Sequence, residues 1–332
     1  MHWQSDERAD LREGQLEVAQ SDERFRSPLP MMSRDVELEV NATDPVIVAP
    51  AQWEEPIRAE VFGIERLEQH AESLAAAQRT TEGPSKGRYL LPRVRDNARV
   101  LLAAYRNIAE TVREKGEITP AAEWLLDNFY IVEEQIRGVR DHLPGSYYRL
   151  LPKIAAGHLA GYPRVYALTW AYVAHTDSRF DLETLQRFVR AYQGVQPLTI
   201  GELWAIPNHL RVALVENLRR LSQLIVRSRH ARAQADELAD RLLGLSGRPA
   251  EHADDVLGRL GDAPLRRAFA MQLVQRLRDQ GPSITPALVW LDEKLRAQGT
   301  SADEMVSQEH HAQAAANVTV RNIITSMRWM SS

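Results

Sequence analysis

The chain has 332 residues, 44% of them hydrophobic and 26% charged, with 45 acidic against 41 basic side chains and a formal net charge of -4. That length and apolar content suit one sizeable core or two modest ones, and the charge balance excludes a single-sign surface for non-specific nucleic-acid binding. Without cysteine there is no disulfide framework, thiolate nucleophile or thiolate metal site.

The first residues, MHWQSDERADLREGQ, are charged from Asp6 onward and lack the apolar stretch of a signal peptide. The longest nearly uncharged apolar run, Val165 to Ala174, is far short of the roughly 20 residues that cross a bilayer. These features predict a cytoplasmic chain with no transmembrane span.

Residues 1–56 alternate charge clusters with Pro28, Pro30, Pro45, Pro50 and Pro56, and read as a mostly disordered or extended arm. Within it, Val36, Leu38, Val40 and Val46-Ile47-Val48 suggest a short extended piece. Residues 57–332 read as a helical domain.

From Ile57, apolar residues at Val61, Ile64, Leu67, Ala71 and Leu74 follow a helical period that fails near Gly83-Pro84. Val94, Ala98, Leu101, Tyr105, Ile108 and Val112 set a second helix, expected to pair with the first as an αα-hairpin. Thr119 then stands as an N-cap with Pro120 at the first helical position, opening one long helix through Trp124, Phe129, Val132 and Ile136. Further helices are expected over Tyr147 to Ala155, Pro163 to His175, Leu182 to Tyr192 and Thr199 to Leu243. The last opens with a Thr199/Glu202 capping box, and Pro207 is expected to kink it or end a first piece near Ile206.

After a turn at SGRPAEHADD come Val256 to Leu260, Leu265 to Leu277, Pro286 to Ala297 and Asp303 to Trp329. Almost nothing reads as a strand, so the fold class is all-α, a multi-helix array of antiparallel pairs. Three times a threonine precedes a tryptophan by five residues: Thr119 and Trp124, Thr199 and Trp204, Thr285 and Trp290. They read as helix caps followed by apolar anchors. The final helix keeps its apolar period through Ile323, Ile324, Met327 and Met330 with no cap residue, which predicts that it belongs to a longer polypeptide.

Several residues suit chemistry, each with a plainer reading. Glu123 and Asp127 share a helix face as an acid/base pair would, yet Glu123 also sits where the helix dipole favours a carboxylate. His175 and Asp177 resemble a proton-transfer pair and equally a helix stop followed by a turn. Tyr147, Tyr148, Tyr166 and Trp170 offer stacking faces for sugars, or fill a core. Glu202 and Trp204 complete the candidate contacts. His310 and His311 diverge by about 100° on a helix, and no spaced ligand set predicts a metal site. Phosphate loops, dinucleotide fingerprints and nucleophile elbows are absent, and the arginines from Arg219 to Arg232 lie among acids as a solvated face.

In order along the chain, ITPAAEWLLDNFYIVEEQI, LPGSYYRLLPKI, GYPRVYALTWAYVAHTDSRFD and QPLTIGELWAIPNHLRVALVENLRRL resemble the N-terminal region of the cyclic β-1,2-glucan synthases. The resemblance extends more loosely from Pro56 to Arg328. It implies a large bacterial inner-membrane enzyme whose transferase uses UDP-glucose, with a divalent metal, to build glucan on the protein and release it as a periplasmic ring. A C-terminal phosphorylase-like module completes that family.

This chain carries neither Asp-Xaa-Asp nor Gln-Xaa-Xaa-Arg-Trp, so no catalytic residue of the family transfers to it and no cofactor is expected in it. The reading that follows is a helical scaffold or regulatory fragment at the cytoplasmic face of the inner membrane, partnered by the rest of the synthase. Two alternatives stay open: a glucan-binding helical module, and an α-helical carbohydrate-active enzyme using a carboxylate pair among Glu123, Asp127, Asp177 and Glu202.

Overall fold

A computed structural model describes residues 55–331 apart from 82–86, 144, 158, 246, 248–249, 262–263 and 279. Residues 1–54 of the arm expected over 1–56, the extended piece within it and the stop at Gly83-Pro84 lie outside the described residues.

The described residues form twelve α-helices and one two-stranded ribbon. The helices are α1 (Ile64–Ala77), α2 (Leu90–Arg113), α3 (Pro120–Asp127), α4 (Phe129–His142), α5 (Gly145–Leu150), α6 (Arg164–His175), α7 (Leu182–Val195), α8 (Ile200–Leu243), α9 (Ala253–Gly258), α10 (Arg267–Leu277), α11 (Thr285–Ala297) and α12 (Ala302–Trp329). The antiparallel strands β1 (Thr80–Thr81) and β2 (Lys153–Ile154) pair Thr80 with Ile154 and Thr81 with Lys153.

The 44 residues of α8 make the longest of the described helices, about 66 Å at ~1.5 Å per residue. Every residue from Val212 to Leu218 is buried, so this part of the helix is surrounded by others, as a helix with little polar face must be. Helices α2, α4, α6 and α10 all pack along it.

Two apolar clusters result. The first joins α1 to α7 with Ala205 to Ile225 of α8 and Ala316 to Met327 of α12. The second joins Ala231 to Leu242 of α8 with α9, α10, α11 and Met305 of α12.

The periodicity placed most of these helices, and several local departures have identifiable causes. Helix α1 begins at Ile64 instead of Ile57, because the backbone before it is taken by other partners: Ala59 N–H donates to the Ala174 carbonyl and Phe62 N–H to that of His175, each at 3.0 Å. It packs on α7 and α6, not as a hairpin with α2. The helix opened by Thr119 is interrupted at buried Asn128, whose Nδ2 bonds back to the Trp124 carbonyl at 2.9 Å while its Oδ1 receives Arg328 at 2.8 Å. Side-chain competition of this kind interrupts helices.

Pro207, by contrast, does not interrupt α8. It is exposed while Ala205, Ile206, Asn208 and His209 around it are buried, so packing on either side holds the helix through the missing N–H.

The caps also sort themselves. Thr199 forms the expected reciprocal box with Glu202, and the Thr119 hydroxyl accepts from Ala122 N–H at 3.4 Å. Thr285 is no cap: α11 is entered from a 3-10 turn, Pro282–Ile284, without a side-chain bond. Trp124 and Trp290 pack against the two clusters, but Trp204 is 78% exposed and anchors neither. The end of α12 is held after all, since Arg211 of α8 donates to the Met330 carbonyl at 2.8 Å and Gln135 to the Ser331 hydroxyl at 2.6 Å.

Candidate functional site

A seam of buried polar side chains runs along α8 where the other helices meet it. At its start, Glu202 is fully buried and accepts from Arg164 through both oxygens, at 2.5 and 2.7 Å. The same carboxylate takes the Thr199 N–H at 2.9 Å, and Arg164 also reaches the Pro197 carbonyl at 2.7 Å. The bond to Glu202 raises the Arg164 pKa further above its ordinary value. A buried carboxylate held by a guanidinium and a backbone amide is committed to holding the structure.

Two turns on, His209 is fully buried and its Nδ1–H donates to the Ala205 carbonyl at 2.8 Å. Its Nε2 meets no donor among the described residues, and the rings of Tyr148 and Tyr166 stand 6.4 Å away. Burial pushes its pKa down to about 4, with the nearby Lys153 charge adding to the effect. Lys153 is itself 4% exposed, lowered to about 8 by burial, and its ammonium closes the end of α5 by donating to the Tyr148 and Leu151 carbonyls at 2.6 Å. A basic group is well placed at a helix C-terminus.

Further along, Glu216 binds Arg93 through both oxygens at 2.9 and 2.7 Å, Asn97 at 2.8 Å and Arg220 at 2.9 Å. Burial alone would raise the Glu216 pKa; the bonds and charge of Arg93, with Asn97 and Arg220, overcome it and bring it to about 2. Arg220 also lies over the Trp170 ring at 4.7 Å. Next to it Asn217 holds the Ile57 backbone and the Ser178 hydroxyl.

Asp177 lies in the left-handed turn after α6, with φ of 50°. The Thr319 hydroxyl donates to it at 2.6 Å and Asn322 Nδ2 at 3.2 Å, while Ser326 Oγ donates to the Ser178 carbonyl at 2.8 Å. Thr319, Asn322 and Ser326 recur at helical spacing on one face of α12, which grips this turn. His175 looks elsewhere, its Nδ1 at 2.8 Å from the Glu60 carbonyl and its ring stacked on Phe62 at 4.0 Å. His175 and Asp177 thus make two separate attachments at the helix stop and the turn that follows it.

The remaining candidates divide by exposure. Tyr148 and Tyr166 are each 3% exposed. The Tyr148 hydroxyl donates to the Arg88 carbonyl at 2.5 Å, and burial raises the pKa of both phenols well above the ordinary range. Neither ring face can be covered by a sugar. Trp170 is half-buried under Arg220, and Tyr147 is half-buried with its hydroxyl donated to the Gly201 carbonyl. Glu123 and Asp127 lie on the exposed side of α3, and Trp204 on that of α8. The four carboxylates therefore face different partners: Arg164, the α12 face, and solvent.

Glu216, Asn217, His209, Lys153 and Arg164 escape sequence inspection as a group. A signal was present for Lys153 and Arg164, each a single basic side chain inside an apolar run, LPKIAA and GYPRVYAL, and for Glu216 and Asn217 as a polar pair within VALVENL. Among the described residues no three His, Asp or Glu side chains are placed to hold a metal ion, and no helix is long and apolar enough to cross a membrane. A cavity of about 40 Å³ between α8, α10 and α12, beside Arg232 and Glu309, has room for about one water.

No family model matches the chain. It is 37% identical over 285 residues, 83% of its length, to the cyclic beta-(1,2)-glucan synthase NdvB of Rhizobium meliloti (strain 1021). The chain is homologous to a segment of a cyclic β-1,2-glucan synthase. It spans about a tenth of the length of that relative, since the match covers 10% of it. The resemblance carried by the four motifs is thus found across most of the chain.

Proposed function

We propose that the chain is a helical scaffold or regulatory domain of a cyclic β-1,2-glucan synthase. In this reading it lies at the cytoplasmic face of the bacterial inner membrane, beside the transferase that draws on UDP-glucose to make periplasmic cyclic glucan. The observation that carries the proposal is the use made of the polar side chains: Asp177 and Glu216 are each bound to two or more partners on another helix, and Glu202 is bound to Arg164 of α6 and to its own cap residue Thr199. Such groups fix helix positions, and these three carboxylates are turned to that use instead of standing over a cleft as acid or base.

Two measurements test it. Purified chain incubated with UDP-glucose and a divalent cation should incorporate no glucose. A synthase lacking the homologous segment should lose cyclic glucan output, whereas unchanged output, or incorporation by the chain alone, would overturn the proposal.

A further inference from the structure

The start of α8 carries two of the three most exposed large apolar side chains among the described residues. Ile200 and Trp204, one turn apart on a single face, are 73% and 78% exposed, and Pro207 continues that face into solvent. The Tyr147 hydroxyl, donated to the Gly201 carbonyl, fixes α5 beside this turn, and Leu150, a turn along α5, is 80% exposed. Clustered large apolar side chains at such exposure mark interaction surfaces.

Charge points the same way. In a chain that is 26% charged, residues 193–210 contain only two ionisable side chains, Glu202 and His209, and both are fully buried. The solvent side of this stretch is therefore without charge, the composition found at the centre of protein interfaces and not on ordinary surfaces. The polar groups beside Trp204 are also turned inward. Thr199 bonds Glu202, Tyr147 bonds Gly201, and Asn208 bonds the His142 carbonyl and Arg211. A sugar would need such groups directed outward to bind its hydroxyls, so the surface suits an apolar protein segment.

The homologous synthase is about ten times longer than the matched segment, which leaves most of it outside this chain. Resting on the scaffold reading, we propose that Leu150, Ile200 and Trp204 form the docking face for an apolar, charge-poor segment of the remaining nine tenths of the synthase, with Trp204 as the central anchor. A desolvated tryptophan at the middle of such a face carries a large share of the affinity.

The test is hydroxyl-radical footprinting of the full chain, alone and co-expressed with the remainder of the synthase, with exposed Tyr130 as internal reference. Trp204 and Leu150 should label readily in the chain alone and several-fold less in the co-purified assembly. Trp204→Ser and Ile200→Asp should each weaken co-purification roughly thirty-fold while leaving the circular dichroism unchanged; an Asp in the first turn is favoured by the helix dipole. Co-purification with Trp204 still labelled overturns this face and leaves the scaffold reading standing; no co-purification overturns both. Protection of Trp204 in the chain alone with a dimeric mass, or only after adding β-1,2-glucan oligosaccharides, assigns the face to another occupant and also overturns the proposal.

Discussion

Asn217 binds both backbone groups of Ile57, accepting its N–H at 2.7 Å and donating to its carbonyl at 3.1 Å across 160 residues of sequence. One amide side chain on the central helix thereby does what a neighbouring strand would do for the segment that leads into α1. The same Nδ2 meets the Ser178 hydroxyl at 2.9 Å, so three segments converge on one residue.

Replacing Asn217 by Ala leaves the Ile57 amide and carbonyl buried without partners, a loss of about 2–4 kcal/mol. Chemical denaturation should show a lower midpoint, and hydrogen exchange should rise at Ile57, Ala59 and Phe62 before anywhere else. A change below about 0.5 kcal/mol would show that Asn217 is incidental.

Glu216 sets an acid limit. Its pKa, brought to about 2 in the folded state, lies below the roughly 4.3 of an unfolded chain, so its contribution is complete above that value and lost as pH falls toward 2. Glu216→Gln should remove this part of the acid dependence. Glu216→Ala should cost about 3 kcal/mol at neutral pH, because the Arg93 and Arg220 guanidinium groups lose their carboxylate.

His209 acts at milder acidity. Burial holds its pKa near 4, whereas the unfolded chain takes up that proton near 6.5. Stability is then full above about 6.5 and declines as pH is lowered to about 4, by about 3 kcal/mol at ~1.4 kcal/mol per pH unit. In His209→Gln a pH series of urea melts should be flatter over this interval, and an unchanged slope would place the titration elsewhere.

Gly244 ends α8 in the left-handed region, with φ of 70°, and an added Cβ would lie 3.0 Å from the Ala250 amide nitrogen. Both the backbone and the close approach disfavour a side chain there. Gly244→Ala should cost about 1–2 kcal/mol, read as a lower thermal midpoint.

Local chemistry made much of this fold legible. The Thr199/Glu202 box, Pro120 behind Thr119 and the apolar periods of α2, α7 and α12 are short-range signals, and they locate helices well. What eluded inspection depends on contacts distant in sequence. Asn128 breaks a helix in company with Arg328, Ile57 is drawn out of helix by Asn217, and Pro207 is tolerated because of packing around it. The candidate site suffered most for the same reason. Glu202 is as readable as an acid as it is as a cap, and only Arg164, 38 residues away, decides.

Helices α8 and α12 each place residues in both apolar clusters, and Arg232 meets Glu309 where the two helices pass from one cluster to the other, at 3.6 Å. A hinge between the clusters would have to cut two continuous helices at once. The pair is therefore a strut: a push at one cluster arrives at the other as a displacement of the whole body, with no joint between them to absorb it.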